Sequence, residues 1–167
     1  MCIRDSYGVD EETVPEVVGR LLAEKGLFLG VLDLVTRGRF AKDLEEAGCA
    51  AVISAAESPQ SLEAAMGRFQ QPRELQASGL DLAALFAERI APEGGVGLAL
   101  VNDPSEDRAL IAVHGPGDIR IAVPSRSARR ETSYMRRWII TLGLDWVRRA
   151  VLGQLTSPTD WRTEKPQ

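Results

Sequence analysis

Residues 27–35 read Leu-Phe-Leu-Gly-Val-Leu-Asp-Leu-Val, a nearly unbroken apolar run with Gly26 before it and Thr36-Arg37-Gly38 after it. The run is far too short to cross a membrane, and it lacks the alternation of a strand with one wet face. It therefore predicts a strand covered on both faces, as in a parallel sheet. A parallel strand needs crossover helices, so the rest of the chain should supply helices for two layers.

The flanking sequence supplies them. Thr13-Val14-Pro15-Glu16 has the form of a capping box, with Thr13 as N-cap and Glu16 placed to reach back. Val14, Val17, Val18, Leu21 and Leu22 share one helical face, and Gly26 suits a left-handed stop. Thr36-Arg37-Gly38 turns the chain into a second helix that Gly48 ends, and Ala50 to Ala55 reads as a short strand. Ser58-Pro59 reads as an N-cap and first-turn pair opening a helix that stops near Gly67. A polar connection over 68–79 leads to a helix opened by Asp81, with Leu82, Leu85, Phe86 and Ile90 on one side. Gly94-Gly95 precedes a strand from Val96 to Val101. Ala109 to Val113 and Ile119 to Val123 flank Gly115-Pro116-Gly117-Asp118, a link suited to an antiparallel hairpin. From about Arg129 to Leu152, Met135, Ile139, Leu142, Trp146 and Ala150 recur at helical spacing. The expected fold is α/β, a three-layer α/β/α arrangement with a mixed sheet.

The 167 residues suffice for one domain that needs no staples. We expect residues 1–12 to be non-native or disordered, 13–153 to form the domain, and 154–167 to be a loose tail. Within the first stretch, Met1-Cys2-Ile3-Arg4-Asp5-Ser6 back-translates onto the end of a transposon used to prepare sequencing libraries, so an assembly scar of metagenomic origin is expected there. Two cysteines and one histidine leave no ligand set for a zinc finger or iron–sulfur cluster, and no metal or cofactor is expected. No apolar run approaches ~20 residues, and no secretory leader pattern opens the chain, which predicts a cytoplasmic bacterial protein without membrane contact. A net charge of −4 argues against bulk nucleic-acid binding.

The order of elements resembles the C-terminal domain of the competence/damage-inducible protein CinA, whose enzymatic members are nicotinamide mononucleotide deamidases (nicotinamide-nucleotide amidohydrolases). The local matches are Val17-Val18-Gly19-Arg20-Leu21-Leu22-Ala23-Glu24-Lys25-Gly26-Leu27 and Leu144-Asp145-Trp146-Val147-Arg148-Arg149-Ala150-Val151-Leu152-Gly153. The resemblance covers about residues 13 to 153. In that family the first strand runs into Glu-Ser-Cys-Thr-Gly-Gly, with the serine as nucleophile. Here the aligned residues are Asp33-Leu34-Val35-Thr36-Arg37-Gly38, so the acid, threonine and second glycine persist and the serine is replaced by Leu34. The family's Tyr-Ser-Asn-x-x-Lys segment, whose lysine can serve as base, aligns with Ser54 to Leu62, which has no Tyr, Asn or Lys. Its Gly-x-Ala-Gly-Pro-Gly-Gly loop is reduced to Leu100-Val101-Asn102-Asp103-Pro104. A catalytically inactive member is the simplest account, acting as a structural or a nucleotide- or phosphate-binding module.

Several residues still bear on chemistry. Thr36 could replace the serine, with Asp33 holding a partner, which would keep an active amidohydrolase with a reorganised site; the plainer role for Thr36 is to cap the next helix. Gly38, Asn102, Arg130 and Arg136, which lie in or beside the segments matched to the family, are the candidate ligand or phosphate contacts. From 126 to 137 five arginines face one acid, Glu131. Arginine forks at a helix start favour a phosphate, although a solvated arginine face is the plainer account. The same segment and the polar 68–79 stretch could also face a second copy of the chain. His114 could act as a base, but a lone loop histidine is more often structural. Cys49 is expected to pack as a small apolar residue.

Overall fold

The computed structural model describes residues 11–69, 79–103, 108–124 and 133–154, with backbone alone at 120–124 and 133–135. Among these residues five α-helices, α1 (Val14–Lys25), α2 (Arg39–Glu46), α3 (Leu62–Arg68), α4 (Gly79–Ile90) and α5 (Ser133–Leu152), accompany five strands, β1 (Leu29–Asp33), β2 (Ile53–Glu57), β3 (Val96–Asn102), β4 (Arg108–His114) and β5 (Ile119–Pro124). The strand order is β2-β1-β3-β4-β5. β1 is parallel to both β2 and β3, while β4 and β5 are antiparallel to their neighbours. The sheet is mixed, as the sequence predicts.

Alternation along the central strands builds the two cores. Leu29 and Val31 of β1, Val96, Leu98 and Leu100 of β3, and Ala109, Ile111 and Val113 of β4 are buried with residues of α1, α2 and α5. Leu32, Ala99, Val101, Leu110 and Ala112 point the other way, into a core shared with α3 and α4. Every residue of β1 is buried, which explains why its sequence shows no alternation.

α4 lies very close to the sheet. Gly30 and Gly97 are paired across β1 and β3. A Cβ on Gly30 would lie 1.9 Å from the Ile90 carbonyl oxygen, and one on Gly97 would lie 1.8 Å from that of Ala87. Only glycine permits that approach.

Local signals fix most boundaries. The Glu16 carboxylate accepts the backbone N–H of Thr13 at 2.6 Å and its hydroxyl at 2.9 Å, closing the start of α1. Gly26 ends α1 in the left-handed region, at φ 65°. Several boundaries differ from expectation, among them the start of α4, which opens at Gly79 rather than at Asp81. β1 stops at Asp33 because that side chain turns the chain over. Ala50–Val52 forms a 3-10 turn, and the second strand begins only at Ile53. α3 is capped by Ser61, whose Oγ accepts the Ala64 N–H at 3.1 Å, rather than by Ser58. The opening of the predicted last helix at 129–132, the suspected scar, and the tail beyond 154 lie outside the described residues.

Candidate functional site

The parallel half of the sheet opens its carboxyl end onto the turn between β1 and α2, where ligands bind in open α/β sheets. Asp33 organises that turn. Its Oδ1 accepts the N–H groups of Val35 at 3.1 Å and Thr36 at 2.7 Å, and its Oδ2 accepts that of Gly38 at 3.1 Å. The Thr36 hydroxyl donates to the same Oδ2. A carboxylate offers about four lone-pair sites, so these four donors saturate it. Arg37 and Gly38 take positive φ values, 57° and 86°, which aims the Gly38 N–H back at Asp33.

Thr36 is enclosed as well. Asp33 and Thr36 are each 1% exposed. The Thr36 hydroxyl oxygen accepts the Phe40 N–H at 3.2 Å, so it caps the first turn of α2 while donating to Asp33. Phe40 is fully buried, and Gly143 of α5 sits over it, since a Cβ there would lie 2.9 Å from the Phe40 Cε2. Thr36 thus has the capping role expected of it and no open side toward solvent.

Leu34, at the position of the family's serine, is half-buried against the core shared with α3 and α4. Its backbone is tied to β3 at both ends. Its N–H donates to the Leu100 carbonyl at 2.8 Å, and its carbonyl accepts the Asn102 Nδ2 at 3.2 Å. The segment aligned with the family's lysine motif does come to this turn, bringing Ser58, whose Oγ would lie 3.0 Å from a Cβ on Gly38. Ser58 is exposed. Among the described residues, no side-chain hydrogen bond joins a lysine or histidine to Thr36 or Ser58. His114 pairs with Gly97 near the start of β3, at the other end of the sheet, and its Nδ1 lies 3.1 Å from Asp118.

Four of the six candidate residues, Asp33, Thr36, Gly38 and Asn102, therefore meet at one turn. Arg136 stands in α5 about two helical turns before Gly143, and Arg130 lies outside the described residues. A second acid, which sequence reasoning passed over, sits on the neighbouring loop. The Asp103 side chain is 2% exposed, pairs with Arg108 at 2.7 Å, and lies 3.6 Å from where a Gly79 Cβ would be at the start of α4. Its sequence signal was the placement of Asn102-Asp103-Pro104 at the end of a buried strand. Among the described residues no group of three or more His, Cys, Asp or Glu side chains could hold a metal ion, and no helix is long and apolar enough to cross a membrane.

These features define an α/β/α domain with a mixed sheet, and comparison with known proteins shows which structures share that fold. The crystal structure of competence/damage inducible protein CihA from Agrobacterium tumefaciens matches with a TM-score of 0.65 at 14% identity, over 83% of this chain and 96% of that one. A competence-damaged protein (CinA) superfamily structure from Escherichia coli matches with a TM-score of 0.62 at 15% identity, over 93% and 99%. In sequence, a curated protein of Symbiobacterium thermophilum named "Putative competence-damage inducible protein" is 34% identical over a 110-residue alignment. That alignment spans 53% of this chain and 26% of the relative, so the chain accounts for about a quarter of that protein's length. No family model matches the chain. The chain has the fold of these CinA-type structures and is similar in sequence, over about half its length, to that competence-damage inducible protein.

Proposed function

We propose that this CinA-like domain does not carry out the nicotinamide-nucleotide amidohydrolysis that the resemblance implies, and that it serves as a structural module. The observation that carries this reading is the state of Thr36. It is the hydroxyl retained from the family motif, and its oxygen is buried between the Asp33 carboxylate and the Phe40 N–H. A nucleophile must reach a substrate carbon and pass its proton to a base. Thr36 is 1% exposed, and the acceptor beside it is already saturated by three backbone N–H groups and the Thr36 hydroxyl itself. Leu34 supplies no hydroxyl where the family has its serine. A role in binding a nucleotide or phosphate is the other non-catalytic role the sequence suggests, with Gly38, Asn102, Arg130 and Arg136 as its contacts. The geometry favours the structural role, because the Gly38 N–H that would meet such a ligand is taken by Asp33.

The test is ammonia release from nicotinamide mononucleotide by the full chain at high enzyme concentration, beside Leu34→Ser and Thr36→Ala variants. The expected result is no turnover by the unaltered chain. Turnover that Thr36→Ala abolishes would overturn the reading and make the domain an amidohydrolase with a displaced nucleophile.

A further inference from the structure

Among the described residues the exposed large apolar side chains are Phe28, at 53%, and Leu152, at 40%. Both lie toward the amino end of the sheet, away from Asp33 and Thr36. Phe28 precedes β1, and its carbonyl accepts the Val96 N–H at 2.8 Å where β3 begins. Leu152 closes α5. That helix passes Leu100 at Gly143, and Val147, Ala150 and Val151 stay buried in the same core, so it runs on over the sheet toward the start of β3.

Strand alternation puts Phe28 on the face of Gly30, toward the end of α4. A cleft of about 470 Å³ opens there between the end of α4 and the β4–β5 turn, lined in part by Glu88, Pro92, Glu93, Gly95, His114 and Pro116. Phe28 meets the cleft at Gly95, where a Cβ would lie 2.5 Å from both the Phe28 carbonyl oxygen and the Pro92 Cγ. The lining includes two proline rings and two carboxylates, with no lysine or arginine. Such a surface suits an aromatic ring with a cation next to it.

The chain itself carries that pair. Residues 155–167, which lie outside the described residues, read Leu-Thr-Ser-Pro-Thr-Asp-Trp-Arg-Thr-Glu-Lys-Pro-Gln and follow directly on Gln154. We propose that this tail docks on its own domain, with the Trp161 indole against Phe28, Pro92 and Pro116 and the Arg162 guanidinium toward Glu88 and Glu93. The length allows it: the seven residues from Gln154 to Trp161 reach up to ~23 Å, against ~10 Å between packed layers. The tail has no apolar period from which to build an element of its own, so the domain surface supplies its order. Being tethered, it meets the cleft at an effective concentration of roughly millimolar, so a weak contact suffices. The docking leaves the β1–α2 turn untouched and holds whether or not the domain hydrolyses anything.

The experiment is nitrogen-15 NMR on the full chain beside its Trp161→Ala and Phe28→Ser variants. Trp161→Ala identifies the Trp161 indole N–H by its loss. In the same variant the Phe28, Gly94, Gly95 and Gly115 amide resonances should move, and their hydrogen exchange should quicken about three-fold or more. In Phe28→Ser the Trp161 indole resonance should shift toward the position of a tryptophan in a free peptide. None of these changes should depend on chain concentration over a tenfold range, because the contact is made within one chain. Unmoved cleft amides in Trp161→Ala, or an indole already at the free-peptide position in the unaltered chain, overturn the proposal. Shifts that grow with concentration overturn it too, since they assign the cleft to the tail of another copy.

Discussion

The hydroxyl of Thr36 donates a hydrogen bond to Asp33 and accepts the N–H of Phe40 at 3.2 Å, so one side chain joins the end of β1 to the first turn of α2. Both residues of the pair are buried; Asp33 ends β1 and Thr36 lies in the turn that follows it.

From that pairing follows a stability difference between two conservative replacements. Thr36→Val keeps the shape, removes the hydroxyl, and leaves the buried Phe40 N–H without an acceptor, at a cost of about 1–3 kcal/mol. Thr36→Ser keeps the hydroxyl and should lose less. Urea unfolding midpoints of the two variants should rank in that order, and the reverse ranking would show that the methyl group matters more than the bond.

Gly97 should be among the least replaceable positions in the domain. Its Cβ would fall 1.8 Å from the main-chain oxygen of Ala87 in α4 and 2.9 Å from the Ala91 Cβ, and neither is the far end of a flexible side chain. Gly97→Ala is expected to cost ~3 kcal/mol or more. Gly67, a helical position with nothing within 4 Å of its would-be Cβ, provides the contrast. There the same replacement should be neutral, or stabilising by about 0.5–1 kcal/mol. Equal losses at both sites would contradict the close approach of α4.

Cys49 is expected to be a sluggish thiol. Burial pushes its pKa up, and the nearby negative charge of Glu16 adds to that, so little thiolate exists at neutral pH. Its sulfur also lies within 2.2 Å of where a Gly19 Cβ would be, so Cys49 packs into the notch that Gly19 leaves in α1. Iodoacetamide labelling followed by peptide mapping should find Cys49 modified more slowly than free cysteine at pH 7. Labelling at the rate of free cysteine or faster would count against it.

The start of α1 should weaken in acid. Accepting the Thr13 backbone N–H, and then its hydroxyl, holds Glu16 below its ordinary carboxylate value. A carboxyl lowered in the folded state contributes stability that is fully present above the unfolded value and disappears as pH falls through the folded one. The unfolding midpoints of the unaltered chain and a Glu16→Ala variant should therefore differ at neutral pH and converge in acid. A difference that stays constant with pH would remove the charged cap as its source.

Much of this fold was legible because its signals are local. The Thr13–Glu16 pair, the left-handed Gly26, Gly38 and Gly48, and the apolar run of β1 each act within a few residues. The misplaced boundaries come from ambiguous stretches. Ala50-Ala51-Val52 is apolar enough for a strand, yet the Val52 N–H bonds back to the Cys49 carbonyl at 3.3 Å. Ser58 and Ser61 are both competent caps, and only the bond to Ala64 distinguishes them. At the site, the resemblance picked out Asp33, Thr36, Gly38 and Asn102, and the structure places these four residues at one turn. It could not reveal that Asp33 is saturated, because that depends on the φ values of Arg37 and Gly38 bringing a distant N–H back to the carboxylate. Nor could it show Asp103 beneath the start of α4, a contact made only when β3 and Gly79 come together.

The paired glycines of β1 and β3 also have a mechanical meaning. With the carbonyls of Ile90 and Ala87 seated in the two notches where side chains would otherwise project, α4 is keyed to the sheet as a bolt is keyed to its plate. Sliding the helix along its axis would drive those carbonyls against the neighbouring side chains of the strands. Its cheapest displacement is to lift off the sheet rather than to slide along it.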